Sequence, residues 1–90
     1  MLCMIAYTIR DGRTSLERFL KWQAPITFIS HYQSVDGRRG FAVAEGTPVG
    51  FREATAAYGD VLDFEIYPIV SIEEGVAAEM KSFAWVDSLK

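Results

Sequence analysis

The run Leu2 to Ile9, L-C-M-I-A-Y-T-I, is apolar at almost every position. Strand side chains alternate between two faces, so a strand without a polar face has to be covered on both sides. Arg10-Asp11-Gly12 ends the run with turn chemistry. A strand of this kind belongs in the middle of a sheet, and the rest of the chain must supply its neighbours and its cover.

The neighbours can be read in order. Thr14-Ser15-Leu16-Glu17 has the form of a capping box with Thr14 as N-cap. Leu16, Phe19 and Leu20 follow at helical spacing, with Glu17 and Lys21 paired four apart on the outside. Pro25 pushes Ala24 out of the helical region, so this helix ends near Trp22-Gln23. Ile26 to Gln33 alternates as a second strand, the glycine-rich and charged Val35 to Gly40 is a loop, and Phe41 to Glu45 is a short third strand. A connection this short makes the pair an antiparallel hairpin.

Thr47 as N-cap and Pro48 at the first helical position open a second helix, with Phe51, Ala54, Thr55 and Tyr58 on one face and Gly59 as a left-handed C-terminal residue. Val61 to Val70 then reads as a strand with two different faces. Leu62, Phe64 and Ile66 point one way, and Asp63, Glu65 and Tyr67 the other. Pro68 cannot donate to a ladder, which places this strand at an edge, at least beyond Tyr67. Ser71-Ile72-Glu73-Glu74 is a second capping box. It opens a C-terminal helix, spanning 71–89, with Val76, Met80, Phe83 and, at its margin, Ala84 as its apolar stripe. Ala77, Met80 and Ala84 form an overlapping alternative, and Trp85 and Leu89 extend the apolar surface.

The order β-α-β-β-α-β-α is the split βαβ, ferredoxin-like pattern with one helix added, a single α+β domain over residues 1–90. Its sheet is antiparallel in the order 4-1-3-2, with both early helices on one face. The other face is bare, yet the Leu2–Ile9 strand is apolar there too. Either the C-terminal helix covers it or a second subunit does; two sheets packed bare face to bare face would form a dimeric α+β barrel. With 90 residues, of which 50% are hydrophobic and 13% aromatic, the chain carries more apolar material than one small core hides, which favours a homodimer.

The formal net charge of −3, with no cationic run longer than Arg38-Arg39, argues against nucleic acid or an anionic membrane as partner. Cys3 is the one cysteine, so no intrachain disulfide is expected, and a reducing, cytoplasmic setting fits. No apolar stretch is long enough to span a bilayer, and the N-terminal run lacks the flanks of a signal peptide.

Chemistry-bearing residues are few. His31 is the only histidine and the one side chain that ordinarily titrates near neutrality. Alone it makes a poor metal site, so no metal is expected. Asp63 and Glu65 lie two apart on one strand face, a spacing of roughly 6.5–7 Å that suits paired carboxylates or a charged edge that discourages aggregation. Tyr7, Trp22, Tyr32, Tyr67 and Trp85 are candidates for lining a cavity. Arg52 could meet an anion from the second helix or lie in solvent. Gly37-Arg38-Arg39-Gly40 lacks the spacing of a phosphate loop and leads into no helix, so no cofactor is expected. In a dimeric barrel His31 could meet Asp63 or Glu65 of the second subunit.

M-L-C-M-I-A-Y-T-I, E-R-F-L, G-F-A-V-A-E, L-D-F-E-I-Y-P-I-V and S-I-E-E together resemble a small bacterial family of single-domain proteins, the domain of unknown function numbered 3303. That family is similar to the dimeric α+β-barrel group, which includes antibiotic-biosynthesis monooxygenase-like and muconolactone-isomerase-like proteins. The resemblance implies the fold and a homodimer, and assigns no catalytic residue. The expectation is a dimeric module that binds a small apolar or aromatic molecule or a partner without catalysis. The alternative is a cofactor-independent enzyme of the monooxygenase or isomerase kind acting on such a molecule.

Overall fold

β1 (Leu2–Ile9) lies in the interior of a four-stranded antiparallel sheet in the computed structural model, which describes residues 1–90. On one side it pairs with β3 (Arg39–Glu45), from Leu2 opposite Glu45 to Thr8 opposite Arg39. On the other it pairs with β4 (Leu62–Pro68), from Cys3 opposite Pro68 to Ile9 opposite Leu62. β2 (Thr27–Gln33) completes the sheet along β3. The order β2-β3-β1-β4 is the 4-1-3-2 arrangement expected from the sequence. β4 is an edge strand that ends at Pro68, and one last bond runs from the Ile69 amide to the Leu2 carbonyl at 2.9 Å.

The period-two pattern decides what each face meets. Cys3 and Ile5 of β1 and Ala42 and Ala44 of β3 are buried with Ile26, Phe51 and Ala54, under α1 (Gly12–Lys21) and α2 (Pro48–Ala56). Tyr58, Val61 and Leu62 form a second buried group beside them. Met4, Phe41 and Tyr67 point to the opposite face and are exposed.

α1 starts earlier than the capping box suggested. Its N-cap is Asp11, whose carboxylate accepts from the Thr14 amide at 3.0 Å and the Thr14 hydroxyl at 2.8 Å. A carboxylate is a stronger acceptor than the threonine hydroxyl, so the helix begins one turn ahead of Thr14. Those bonds hold the Asp11 carboxyl below its usual range. Glu17 pairs with Arg13 at 3.2 Å rather than with Lys21.

The start of α2 matches the reading: Thr47 caps it by accepting from the Gly50 amide at 3.0 Å, and Pro48 follows. Replacing Thr47 by alanine removes this acceptor and is expected to cost about 1 kcal/mol, a fall in Tm of roughly 4–8 °C in a domain of this size. A calorimetric scan checks it. The end of α2 differs from the reading. Gly59 is not left-handed; Gly37, with φ 74°, is the only residue with positive φ. The helix closes instead through a turn in which the Val61 and Leu62 amides both donate to the Tyr58 carbonyl at 2.9 Å.

α3 (Ile72–Ser88) is capped by Ser71, which accepts from the Glu74 amide at 3.1 Å. None of its residues is buried, and the molecule measures 57 Å along its long axis against 27 and 20 Å. The C-terminal helix therefore does not cover the bare face of its own sheet. No helix is long and apolar enough to cross a membrane.

Candidate functional site

Between the sheet and the layer of α1 and α2 lies a half-open cavity of about 280 Å³. β1 contributes Ile5, Tyr7 and Ile9; α1 contributes Leu16 and Phe19; Trp22 follows the helix end. Phe28 and His31 of β2 close one side, and Phe51 and Tyr58 the floor near α2. No Asp, Glu, Lys or Arg lines it.

Its main polar feature is a pair. Tyr7 Oη and His31 Nε2 are 2.6 Å apart. Two local devices bring them together. The first is Gly40, directly opposite Tyr7 on β3. A Cβ there would lie 1.9 Å from Tyr7 Cζ, so only glycine lets the Tyr7 ring lie across β3 toward β2. The second is a bulge in β2 between Phe28 and Ser30. Phe28 stands opposite Ala44 and His31 opposite Ala42, both on the helix-facing side. The extra residue lets side chains three apart share one face. The Phe28 and His31 rings stack with centroids 4.6 Å apart and planes at 14°. Phe19 and Tyr7 meet the imidazole edge-on at 5.7 and 5.8 Å.

This aromatic surround partly screens the pair from water. Burial pushes the His31 pKa below its ordinary value and the Tyr7 pKa above its own. Both groups are therefore neutral at neutral pH, sharing one hydrogen bond between an imidazole nitrogen and a phenol.

Tyr58 is a site residue that the sequence marked only as part of an apolar helix face. It is buried, Trp22 meets its ring edge-on at 4.8 Å, and its hydroxyl has no hydrogen-bond partner. The Arg18 guanidinium lies 5.6 Å from the ring centre, held by Asp60 at 2.7 Å and by the Ala57 carbonyl at 2.8 Å. The signal was available as a tyrosine where phenylalanine would fill a core. An unsatisfied buried hydroxyl is a cost, so Tyr58→Phe is expected to leave stability unchanged or raise it by up to about 1 kcal/mol, read by urea unfolding.

The other candidates divide by place. Tyr7, Trp22 and His31 converge on the cavity, and Tyr32 stands at its rim, largely exposed. Asp63, Glu65 and Tyr67 lie on the bare face, with Asp63 3.3 Å from Arg10 and the Tyr67 hydroxyl donating to Glu65 at 3.1 Å. The sheet separates both carboxylates from His31, so a bare-face pairing of two subunits would bring Asp63 and Glu65 to the seam but not the imidazole. Trp85 sits on α3 and Arg52 on the outside of α2, both exposed and outside the cavity.

A family model described as Domain of unknown function (DUF3303) matches residues 1–83. The chain belongs to that family. The match takes in the whole cavity wall of this DUF3303 domain and ends inside α3. No curated protein and no solved structure matches the chain.

Proposed function

We propose that the protein binds a small uncharged molecule, aromatic or otherwise apolar, in the cavity between the sheet and its helices, without transforming it. The observation that carries this reading is the wall itself. It is rich in aromatic rings, holds no fixed charge, and offers only neutral hydrogen-bonding groups, among them the Tyr7–His31 pair and the unpartnered Tyr58 hydroxyl. An anion or cation would enter this site without a counter-charge, at a large desolvation cost. About 280 Å³ is at or just below the small end of ligand pockets and suits one or two rings.

The test uses 2-naphthol as a neutral two-ring probe, followed by amide chemical shifts. Saturable binding with shifts at Tyr7, Phe28 and His31 is expected, and 2-naphthoate should bind at least about tenfold more weakly. Absence of saturable 2-naphthol binding, together with no retained molecule in native mass spectra of freshly purified protein, would sink the proposal.

A second reading has one observation in its favour. A neutral imidazole hydrogen-bonded to a phenol in a half-open, mostly apolar cavity is chemically suited to move a proton. That fits cofactor-independent chemistry of the monooxygenase or isomerase kind on the same class of molecule. His31→Gln separates the two readings: a binding module keeps its function apart from a modest loss of affinity, whereas an enzyme loses turnover and retains binding.

The imidazole also predicts a pH dependence of stability. In the unfolded chain His31 takes up a proton near its ordinary value of 6.5, while burial keeps the folded form neutral to lower pH. Between those two points the unfolded chain binds more protons, so stability falls as pH drops below about 6.5 and levels off once the folded imidazole is also charged. Melting curves of wild type and His31→Gln between neutral pH and the onset of carboxylate titration should diverge as pH falls, with the wild type losing stability more steeply.

A further inference from the structure

The least accounted-for surface of the molecule is α3. Ile72, Val76, Met80 and Phe83 recur three to four residues apart along one side, and Ala78, Trp85 and Leu89 along a largely opposite one. Phe83 is 60% exposed and Trp85 66%. An isolated helix of this length is marginal in water, and one with two apolar sides is built to be covered. Its own domain supplies no such cover.

The domain has one matching vacancy, the bare sheet face with Met4, Phe41 and Tyr67 exposed on it. Arg39 lies over the Phe41 ring at 5.3 Å and makes no ion pair. On α3, Glu73 and Glu79 flank the stripe of Ile72, Val76 and Phe83, and they too are without a cation. The two surfaces are thus alike in apolar character, and Arg39 offers the acidic helix one cation on a face that also carries Asp63 and Glu65. They also match in size: seventeen residues of helix span about 25 Å, enough to cross four strands spaced about 4.8 Å apart.

We infer that α3 is an exchanged arm: in a two-fold dimer each α3 lies across the bare sheet face of a second copy of this chain. Its first stripe covers Met4 and Phe41 there, and Glu79 meets Arg39 of that copy. The stripe of Trp85 and Leu89 is left to face the other arm across the two-fold axis. Phe83 and Trp85, as aromatics of on the order of 150–250 Å² each, together with five aliphatic side chains, bring each arm to the scale of a standard interface, about 800 Å² per partner. This arrangement replaces direct sheet-on-sheet packing with a layer of two helices.

Sedimentation velocity on the full chain at micromolar concentration should show a dimer. Phe83→Glu alters an exposed position, so its circular dichroism should be unchanged, while dimerisation weakens by roughly a hundredfold or more. Arg39→Glu should weaken the dimer and Arg39→Glu with Glu79→Arg should restore it. Under oxidation, a mixture of Phe41→Cys and Val76→Cys proteins should form a disulfide-linked heterodimer. A monomeric wild type, a Phe83→Glu dimer of undiminished strength, or efficient cross-linking of Phe41→Cys to itself instead of to Val76→Cys would overturn the exchange. The last outcome would mean that two sheets meet directly.

Discussion

Replacing Gly40 by alanine is expected to abolish measurable 2-naphthol binding while leaving a folded protein. The added methyl would stand 1.9, 2.2 and 2.3 Å from Cζ, Oη and Cε2 of Tyr7. Those atoms are the far end of a side chain, so the ring swings aside and the backbone stays. In swinging, it gives up the 2.6 Å contact with His31 and moves into the cavity. Overpacking of this kind costs about 1–3 kcal/mol in stability. The effect on binding is larger, because the polar anchor and the free volume are lost together. Tyr7→Phe serves as the comparison: it removes only the hydroxyl and should retain most of the affinity. If steric conflict is the cause, Tyr7→Ala in the Gly40→Ala background loses less stability than the sum of the two single changes, because the partners are in contact. Urea unfolding and probe titration of the four proteins read both quantities. A Gly40→Ala protein that binds 2-naphthol as wild type does would show that the Tyr7 ring does not depend on the gap opposite it.

Phe51→Ala carries the largest stability loss. Ten hydrophobic residues form the buried core, and Ala42, Ala44, Ala54 and Cys3 are four of them. Phe51 is the largest side chain in the cluster that joins α2 to the sheet. Removing it costs about 3–5 kcal/mol in general, and more where the hole cannot collapse. Here the hole opens into a cavity of about 280 Å³ that the structure already sustains, so little relaxation is available. Against a total of roughly 5–15 kcal/mol for a native domain, that is a fifth or more of the whole stability. Urea denaturation should show the midpoint lowered in proportion to this loss, with the slope little changed. A loss under about 1.5 kcal/mol would mean that α2 is not anchored through this ring.

The contrast between these two positions shows what the sequence could convey. The anchoring of α2 was legible because Phe51, Ala54 and Tyr58 recur at helical spacing after a cap at Thr47. The sheet order was legible for a similar reason: Leu2–Ile9 has no polar face, and Pro68 marks an edge. The cavity candidates Tyr7, Trp22 and His31 could be named singly from their chemistry. Their meeting could not be derived. In strict alternation Phe28 and His31 fall on opposite faces of β2, and only the bulge between Phe28 and Ser30 places both toward the helices. Bulges leave no reliable compositional mark, and Gly40, closing a glycine-rich charged stretch, reads as loop. The start of the first helix is decided by a competition between two acceptors. Thr14 and Asp11 are both good caps, and the charged one wins by three residues. Tyr58 reads as packing because a helix-face pattern registers hydrophobic bulk and ignores a hydroxyl.

The β2 bulge has a consequence for tracing this site through the family. The chain takes up one extra residue near Ile29 without changing how the later residues of the strand face β3, since Ser30 still stands opposite Val43 and His31 opposite Ala42. A relative lacking that residue would show a single-codon gap at this point and would still direct its equivalent of His31 at the tyrosine on β1. Aligned column by column without the gap, the same imidazole would be displaced by one position and scored as lost. Register against β3, counted from Ala42, is therefore the coordinate by which the site should be tracked.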